Sequence, residues 1–148
     1  MLLEIHENIF SEHLSDSYGV YMRLEVKEEC DWVYVDWIGY VNEARAKTGM
    51  MHYLDVMQEY KLTKLLNDNT KEHGPYPEDI EGWIASTWYP KALKINMTKG
   101  ATILSPRVFA RLSADKLVRT LSGIEYMNFD NKEKAISWLR TTVSYKNH

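Results

Sequence analysis

The stretch Lys64-Leu65-Leu66-Asn67-Asp68-Asn69-Thr70 decides the fold. A short apolar strand, Thr63 to Leu66, runs into a polar segment. Asn67 to Tyr76 is rich in Asp, Asn, Thr, Gly and Pro, which is turn and loop chemistry. An aromatic helix follows, Glu78 to Ile95, carrying Trp83, Trp88, Tyr89 and Pro90. Pro77 suits its first position, and Glu78, Asp79 and Glu81 complement its positive end. Pro90 has no N–H, so it must kink or restart that helix. Ile80, Trp83, Ile84, Trp88 and Ile95 make its apolar face. Then come a strand at Gly100–Leu104 and a Ser105-Pro106 helix start. A strand, a helix and a strand in this order give a right-handed crossover and a parallel pair.

Working outward, the upstream pattern changes. Val20, Met22, Leu24 and Val26 alternate with Tyr21, Arg23 and Glu25, which predicts a half-buried strand. Trp32 to Ile38 is aromatic and β-branched throughout, as in a strand buried on both faces. The short charged turn between them predicts an antiparallel hairpin. Leu3, Ile5 and Ile9-Phe10 could form a short edge strand, and Ser11 to Ser17 reads as loop. Asn42 to Lys61 is helical, with Asn42 as cap and one stripe of Met50, Tyr53, Leu54 and Met57. A methionine stripe could line a flexible ligand groove, but core packing is the simpler reading.

Downstream, Ser113-Ala-Asp-Lys116 suggests a turn or helix. Ile124 to Phe129 is the last strand. Asp130-Asn-Lys-Glu133 resembles a capping box with Asp130 as cap. The final helix turns Ala135, Ile136, Leu139 and Val143 inward, before a polar tail at 145–148. The fold class is therefore α/β. A mixed, mostly parallel sheet carries an N-terminal antiparallel hairpin and is flanked by helices. No linker or repeat divides residues 1–148, so one domain is expected.

Bulk properties narrow the function. The chain has 148 residues, 45% of them hydrophobic and 26% charged, with a formal net charge of −3. Nucleic-acid binders usually carry a basic face, and no run of Lys and Arg marks one here. Cys30 is the lone cysteine, so no internal disulfide can form, which fits a reducing, cytoplasmic setting. Neither a signal peptide nor a membrane span is read in the sequence. Asn96-Met97-Thr98 matches a glycosylation sequon, which has no meaning without secretion. Five Trp, ten Tyr and three Phe are an aromatic surplus that can fill a core, line a pocket or form an interface.

Reaction chemistry is sparse. The seven glycines are scattered, so no phosphate-cradling loop is expected. Ser86 and Ser105 lack a nucleophile-elbow frame. His6, His13, His52, His73 and His148 show no paired metal spacing, so no bound metal or cofactor is expected. Asp68 with His73 could make an acid/base pair, although a solvated loop histidine is the plainer reading. What remains is a place. Ligands of open α/β sheets sit beyond the carboxyl ends of parallel strands, where strand order reverses. Asp68, Asn69 and Thr70 are placed there as candidate binding residues. Trp83 and Trp88, near each other on the helix, are the candidates for holding an apolar ligand. A surface loop at Asp68 and Thr70 would tolerate changing both to Ala at no more than about 1 kcal/mol.

The residues also carry a family likeness. The run Tyr60-Lys-Leu-Thr-Lys-Leu-Leu-Asn-Asp68-Asn, then Trp83 and Trp88-Tyr-Pro90, then Gly100-Ala-Thr-Ile-Leu-Ser-Pro106 with Phe109, and finally Phe129-Asp-Asn, Glu133-Lys-Ala135 and Trp138-Leu139, resembles the SpoIIAA-like bacterial domains. These are small STAS-type or CRAL-TRIO-like modules. The resemblance covers roughly residues 18–140. It implies a mixed sheet with flanking helices and no known catalysis. STAS relatives that antagonise anti-sigma factors carry a phosphorylatable Ser in an Asp-Ser-Ser/Thr-Gly-like segment. Here the comparable place reads Asn67-Asp68-Asn69-Thr70-Lys71, with Thr70 as its only hydroxyl. Three functions follow. One is a non-enzymatic regulatory or protein-interaction domain, a homodimer being compatible with it. Another is a binder of a small apolar or lipid-like ligand. The third is an enzyme using Asp68 and His73.

Overall fold

The computed structural model describes residues 7–73, 77, 80–110, 118–121 and 123–141. Seven strands form one sheet: β1 (Asn8–Asp16), β2 (Gly19–Lys27), β3 (Trp32–Tyr40), β4 (Lys64–His73), β5 (Lys99–Ile103), β6 (Val118–Leu121) and β7 (Ile124–Phe129). Their spatial order is β1-β2-β3-β4-β5-β7-β6. The pairs β1–β2, β2–β3 and β6–β7 are antiparallel, while β3, β4, β5 and β7 run parallel. The mixed sheet read from the sequence is thus present, with its parallel part formed by β3, β4, β5 and β7. So is the hairpin, with Met22 opposite Trp37 and Val26 opposite Val33.

Two elements differ from the sequence reading at this end. Residues expected as loop, Ser11 to Ser17, continue β1 as far as Asp16. An edge strand half in water has polar residues at every second place, which looks like loop composition. Tyr21 was expected outward, yet it is 4% exposed, whereas Val20 is 40% exposed. The cause is a β-bulge. Leu14 pairs with Met22 and Ser15 with Val20, which leaves Tyr21 without an opposite residue. An extra residue turns two successive side chains to one face, so Tyr21 and Met22 are both buried.

Helix α1 (Glu43–Tyr60) starts at Asn42, whose side chain accepts from the Arg45 N–H. It packs on β2 and β3. Tyr53, Leu54 and Met57 are buried and Met50 packs against them, as the stripe requires. Gly49 is where the helix comes closest to the sheet. A Cβ there would lie 2.4 Å from the Trp37 indole and 2.8 Å from the Met22 sulfur.

The aromatic helix is three pieces: α2 (Ile80–Trp83), a π-helical turn (Ile84–Trp88) and α3 (Tyr89–Lys94). Pro90 supplies the reason. Its ring would press on the carbonyl four residues back, so the backbone widens and Tyr89 N–H bonds to Ile84 O. Ile80, Trp88 and Ala92 join the α1 side of the core.

Beyond β5, α4 (Pro106–Ala110) begins as expected, with Ser105 Oγ accepting from Val108 N–H. Helix α5 (Lys132–Leu139) lies on the opposite face, over β4, β5 and β7. Its cap is Asn131, which accepts from Lys134 N–H, and not Asp130, which pairs with the Lys134 ammonium. The α5 core holds Trp32, Leu66, Ala101, Ile103, Ala135, Trp138 and Leu139. Strand β6 was not foreseen. The expected turn at 113–116, the inward Val143, Pro77's helix start with Glu78 and Asp79, and residues 1–6 fall on or beside positions outside the described residues. Among those described, no helix is long and apolar enough to cross a membrane.

Candidate functional site

Strand β4 does not stop at Leu66. It runs ten residues to His73, so Asn67-Asp68-Asn69-Thr70 is strand and not loop. Val35 lies opposite Asn67 and Asp36 opposite Asp68 on one side; Thr102 and Ile103 do so on the other. Past Asp68, β4 outruns β5 and pairs with β3 alone, through a bulge at Asn69 and Thr70. Nor does strand order reverse here, because β3, β4, β5 and β7 follow one another in space. Polar composition misled because buried Asn and Asp read as loop unless their partners are known.

Those partners are internal. Alternation sends Tyr34, Asp36 and Asp68 to the α5 face. Asp68 Oδ2 accepts a 2.6 Å bond from the Tyr34 hydroxyl. Its Oδ1 accepts from the Thr70 hydroxyl at 2.7 Å and the Thr70 N–H at 3.0 Å. Burial pushes the Asp68 carboxyl upward, but these bonds and the nearby Lys132 ammonium outweigh it and hold it below the usual range. Burial, then the bond to Asp68, pushes the Tyr34 phenol far above its ordinary value. So at neutral pH the phenol keeps its proton and the carboxylate keeps its charge. The Lys132 ammonium lies 4.2 Å above the Tyr34 ring, a cation–π contact. Next to this group, Lys71 donates to Asp36 Oδ2 at 2.9 Å, while Asp36 Oδ1 is buried without a hydrogen-bond partner.

On the α1 face, the Trp37 indole N–H donates to Asn67 Oδ1 at 2.7 Å, and Asn67 Nδ2 to Asn69 Oδ1 at 3.1 Å. The five sequence candidates are therefore not one constellation. Asp68 is buried, Asn69 half-buried and Thr70 exposed. His73 is exposed at the far end of β4, roughly 16 Å along an extended strand from Asp68. Glu72, which the sequence reading passed over, is half-buried opposite Gly39, and burial raises its carboxyl to about 7. No local signal in the sequence marks Tyr34, Asp36 or Glu72, because only strand register brings them to this end.

The tryptophans separate too. Trp88 is 2% exposed and packs with Tyr53 and Tyr126, with ring centroids 6.4 and 6.1 Å apart. Trp83 is half-buried beside an open groove of about 470 Å³ that Lys47, Thr48, Met51, His52 and Asp55 also line. Lys47 pairs with Glu43, and Lys91 with Asp55, so the groove's charges have partners. Cys30 is a half-buried free thiol whose titration burial pushes up. Among the described residues, no three His, Cys, Asp or Glu converge as a metal site.

A free strand edge lies elsewhere. Among the described residues, β1 has a partner only in β2, so its outer backbone edge is unpaired. Ile9, Tyr18, Val20 and Tyr40 are exposed around it and at the hairpin tip. The tip is tied to α1. The Arg45 guanidinium makes two 2.7 Å bonds to the Asp16 carboxylate and one of 2.8 Å to Tyr40 O. That pairing keeps the Asp16 carboxyl at about 2.

These features define a single-sheet α/β domain with helices on both faces and a long antiparallel edge. No family model matches the chain, and no curated protein does. Among solved structures, an uncharacterized protein from Shewanella loihica PV-4, of the DUF3478 family and with a SpoIIAA-like fold, aligns over 94% of this chain and 98% of its own. The two are 16% identical, with a TM-score of 0.44. The fold class itself rests on the strand order and register above.

Proposed function

We propose that this chain is a non-enzymatic regulatory or protein-interaction domain of the STAS type its sequence resembles. The observation that carries the reading is β1, a nine-residue strand whose outer edge is free among the described residues. Unpaired N–H and C=O groups in a row are a template for an added strand. Exposed Tyr18 and Tyr40 are of a type enriched at interface hot spots, and exposed Ile9 and Val20 add apolar surface beside them. The Asp68 group supports the same reading. Its carboxylate and the Tyr34 phenol are bonded to each other and shifted away from neutral pH, which suits a locked support better than a proton shuttle. Thr70 and Trp83 reach the surface and remain candidate contacts. The apolar-ligand reading has less support, since Trp88 is spent in the core.

The test is affinity capture from a native extract by the wild-type chain and by Ile9→Lys at matched folding. A specific protein held by the wild type and lost by the variant is expected. Equal capture by both would remove β1 from the function.

A further inference from the structure

Resting on that reading, we infer that the β1 edge takes an extended protein segment of the pattern apolar-x-basic-x-apolar rather than a second copy of this chain. Bulges bound the regular part of the edge. Ile9 has no opposite residue on β2, because Asn8 pairs with Lys27 and Phe10 with Val26. The second bulge sits between Leu14 and Ser15. The even window is therefore Phe10 to Leu14. Within it Phe10, Glu12 and Leu14 face the α1 side, where Phe10 packs against Tyr60 and all three are half-buried. Ser11 and His13 face the other side and are exposed.

A strand added here places one residue directly opposite each of these. Cross-strand neighbours on one face sit about 5 Å apart at Cβ, so their charges are felt. Phe10 and Leu14 favour apolar partners, and Glu12 between them favours a cation. On β1 and at the residue before it, Glu7, Glu12 and Asp16 are acidic and the strand carries no Lys or Arg, while the basic residues of β2, Arg23 and Lys27, pair with His13 and Asn8 and not with Glu12. Arg45 already neutralises Asp16, and His52 Nε2 lies 2.6 Å from Glu12 Oε1, leaving Glu12 34% exposed. Self-pairing fails the same test. The register that pairs all of Phe10–Leu14 with its own copy is centred on Glu12 and sets Glu12 against Glu12.

The experiment uses two synthetic nine-residue strands, one with a Val-Thr-Lys-Thr-Val centre and one with Val-Thr-Glu-Thr-Val. Binding is read from the β1 amide signals in nitrogen-15 NMR spectra of the full chain. The lysine strand should bind tighter by roughly threefold to tenfold. Glu12→Lys should reverse the order and Glu12→Gln should level it, with unchanged spectra elsewhere certifying the fold. Equal binding of both strands, or an order that Glu12→Lys leaves alone, overturns the charge inference while keeping the edge. Silence of the β1 amides toward both strands overturns the edge reading as well. Concentration-dependent β1 shifts in the wild type alone would make the occupant a second copy.

Discussion

The two halves of the sheet are built differently. The parallel half, β4, β5 and β7, lies between helices: Ile80, Trp88 and Ala92 on one face, and α5 on the other. It ends in the four-residue β6. Among the described residues, the antiparallel half, β1 and β2, is covered by α1 on one face only. Ser11, His13, Ser15 and Arg23 on its other face are exposed, and it ends in the nine-residue β1. Stability should therefore concentrate in the parallel half, and partner binding in the antiparallel one. At the junction, Tyr34 of β3 bonds to Asp68 of β4. Substitution effects should decline from the parallel core across this junction to the β1 edge.

The largest loss is expected at Trp88. It is enclosed by Tyr53 and Tyr126, and truncating a fully packed aromatic leaves a cavity that the neighbours cannot fill. Trp88→Ala should cost about 3–5 kcal/mol in urea unfolding. A cost near that of a surface change would mean that the parallel half is not the stable one.

The core was legible from the sequence because apolar periodicity survives in any register. The α1 stripe, the strand at Trp32 and the kink at Pro90 all announce themselves through spacing. The junction was not legible. Asp68 and Thr70 have loop chemistry, and only the pairing of β3 with β4 shows that Tyr34 supplies the missing partner. Strand β1 hid for a related reason. Half of an edge strand faces water, so Ser11 to Ser17 reads as loop. Asp68, Asn69 and Thr70 thus read as a loop beyond a strand end, whereas they lie inside β4.

That correction changes a magnitude. Changing Asp68 and Thr70 together to Ala was expected to move stability by no more than about 1 kcal/mol. With Asp68 7% exposed and receiving three hydrogen bonds, the pair should cost about 2–3 kcal/mol. Tyr34→Phe with Asp68→Ala, run as a double-mutant cycle, should return a coupling of about 1 kcal/mol or more. The pH sign follows from the depressed Asp68 carboxyl. Its contribution is present above the unfolded value of 3.8 and is lost as pH falls through the lower folded value. Acid unfolding of Tyr34→Phe should begin at higher pH than in the wild type. An unchanged acid limb would leave the junction without a role in stability.

A smaller effect of opposite sign belongs to Glu72. Its carboxyl is raised from 4.5 to about 7, so the folded chain holds a proton that the unfolded chain has released. This contribution is complete below 4.5 and is lost as pH rises through 7. The urea midpoint should fall between these two values, by less than full burial would give because the group is partly solvated. Glu72→Gln should flatten that fall. A wild-type midpoint level across the window would mean that Glu72 titrates as in water.

The smallest expected effect lies at the edge, and it separates the halves most sharply. Ile9 is 54% exposed and sits in the bulge, where it has no residue opposite on β2. Little apolar area leaves water when it packs, so Ile9→Lys should change stability by no more than about 0.5 kcal/mol. Natural sheets use lysine to keep foreign strands away from their edges. The same substitution should therefore weaken capture of a partner strand, and most of all a basic one, because it adds a cation where Glu7 and Glu12 attract one. Melting and binding must part company for this to hold: nearly equal melting temperatures, with binding reduced several-fold. If Ile9→Lys instead destabilises the chain by more than about 1 kcal/mol, Ile9 is already covered in the folded protein. The β1 edge is then part of the core, and the contrast between the two halves fails.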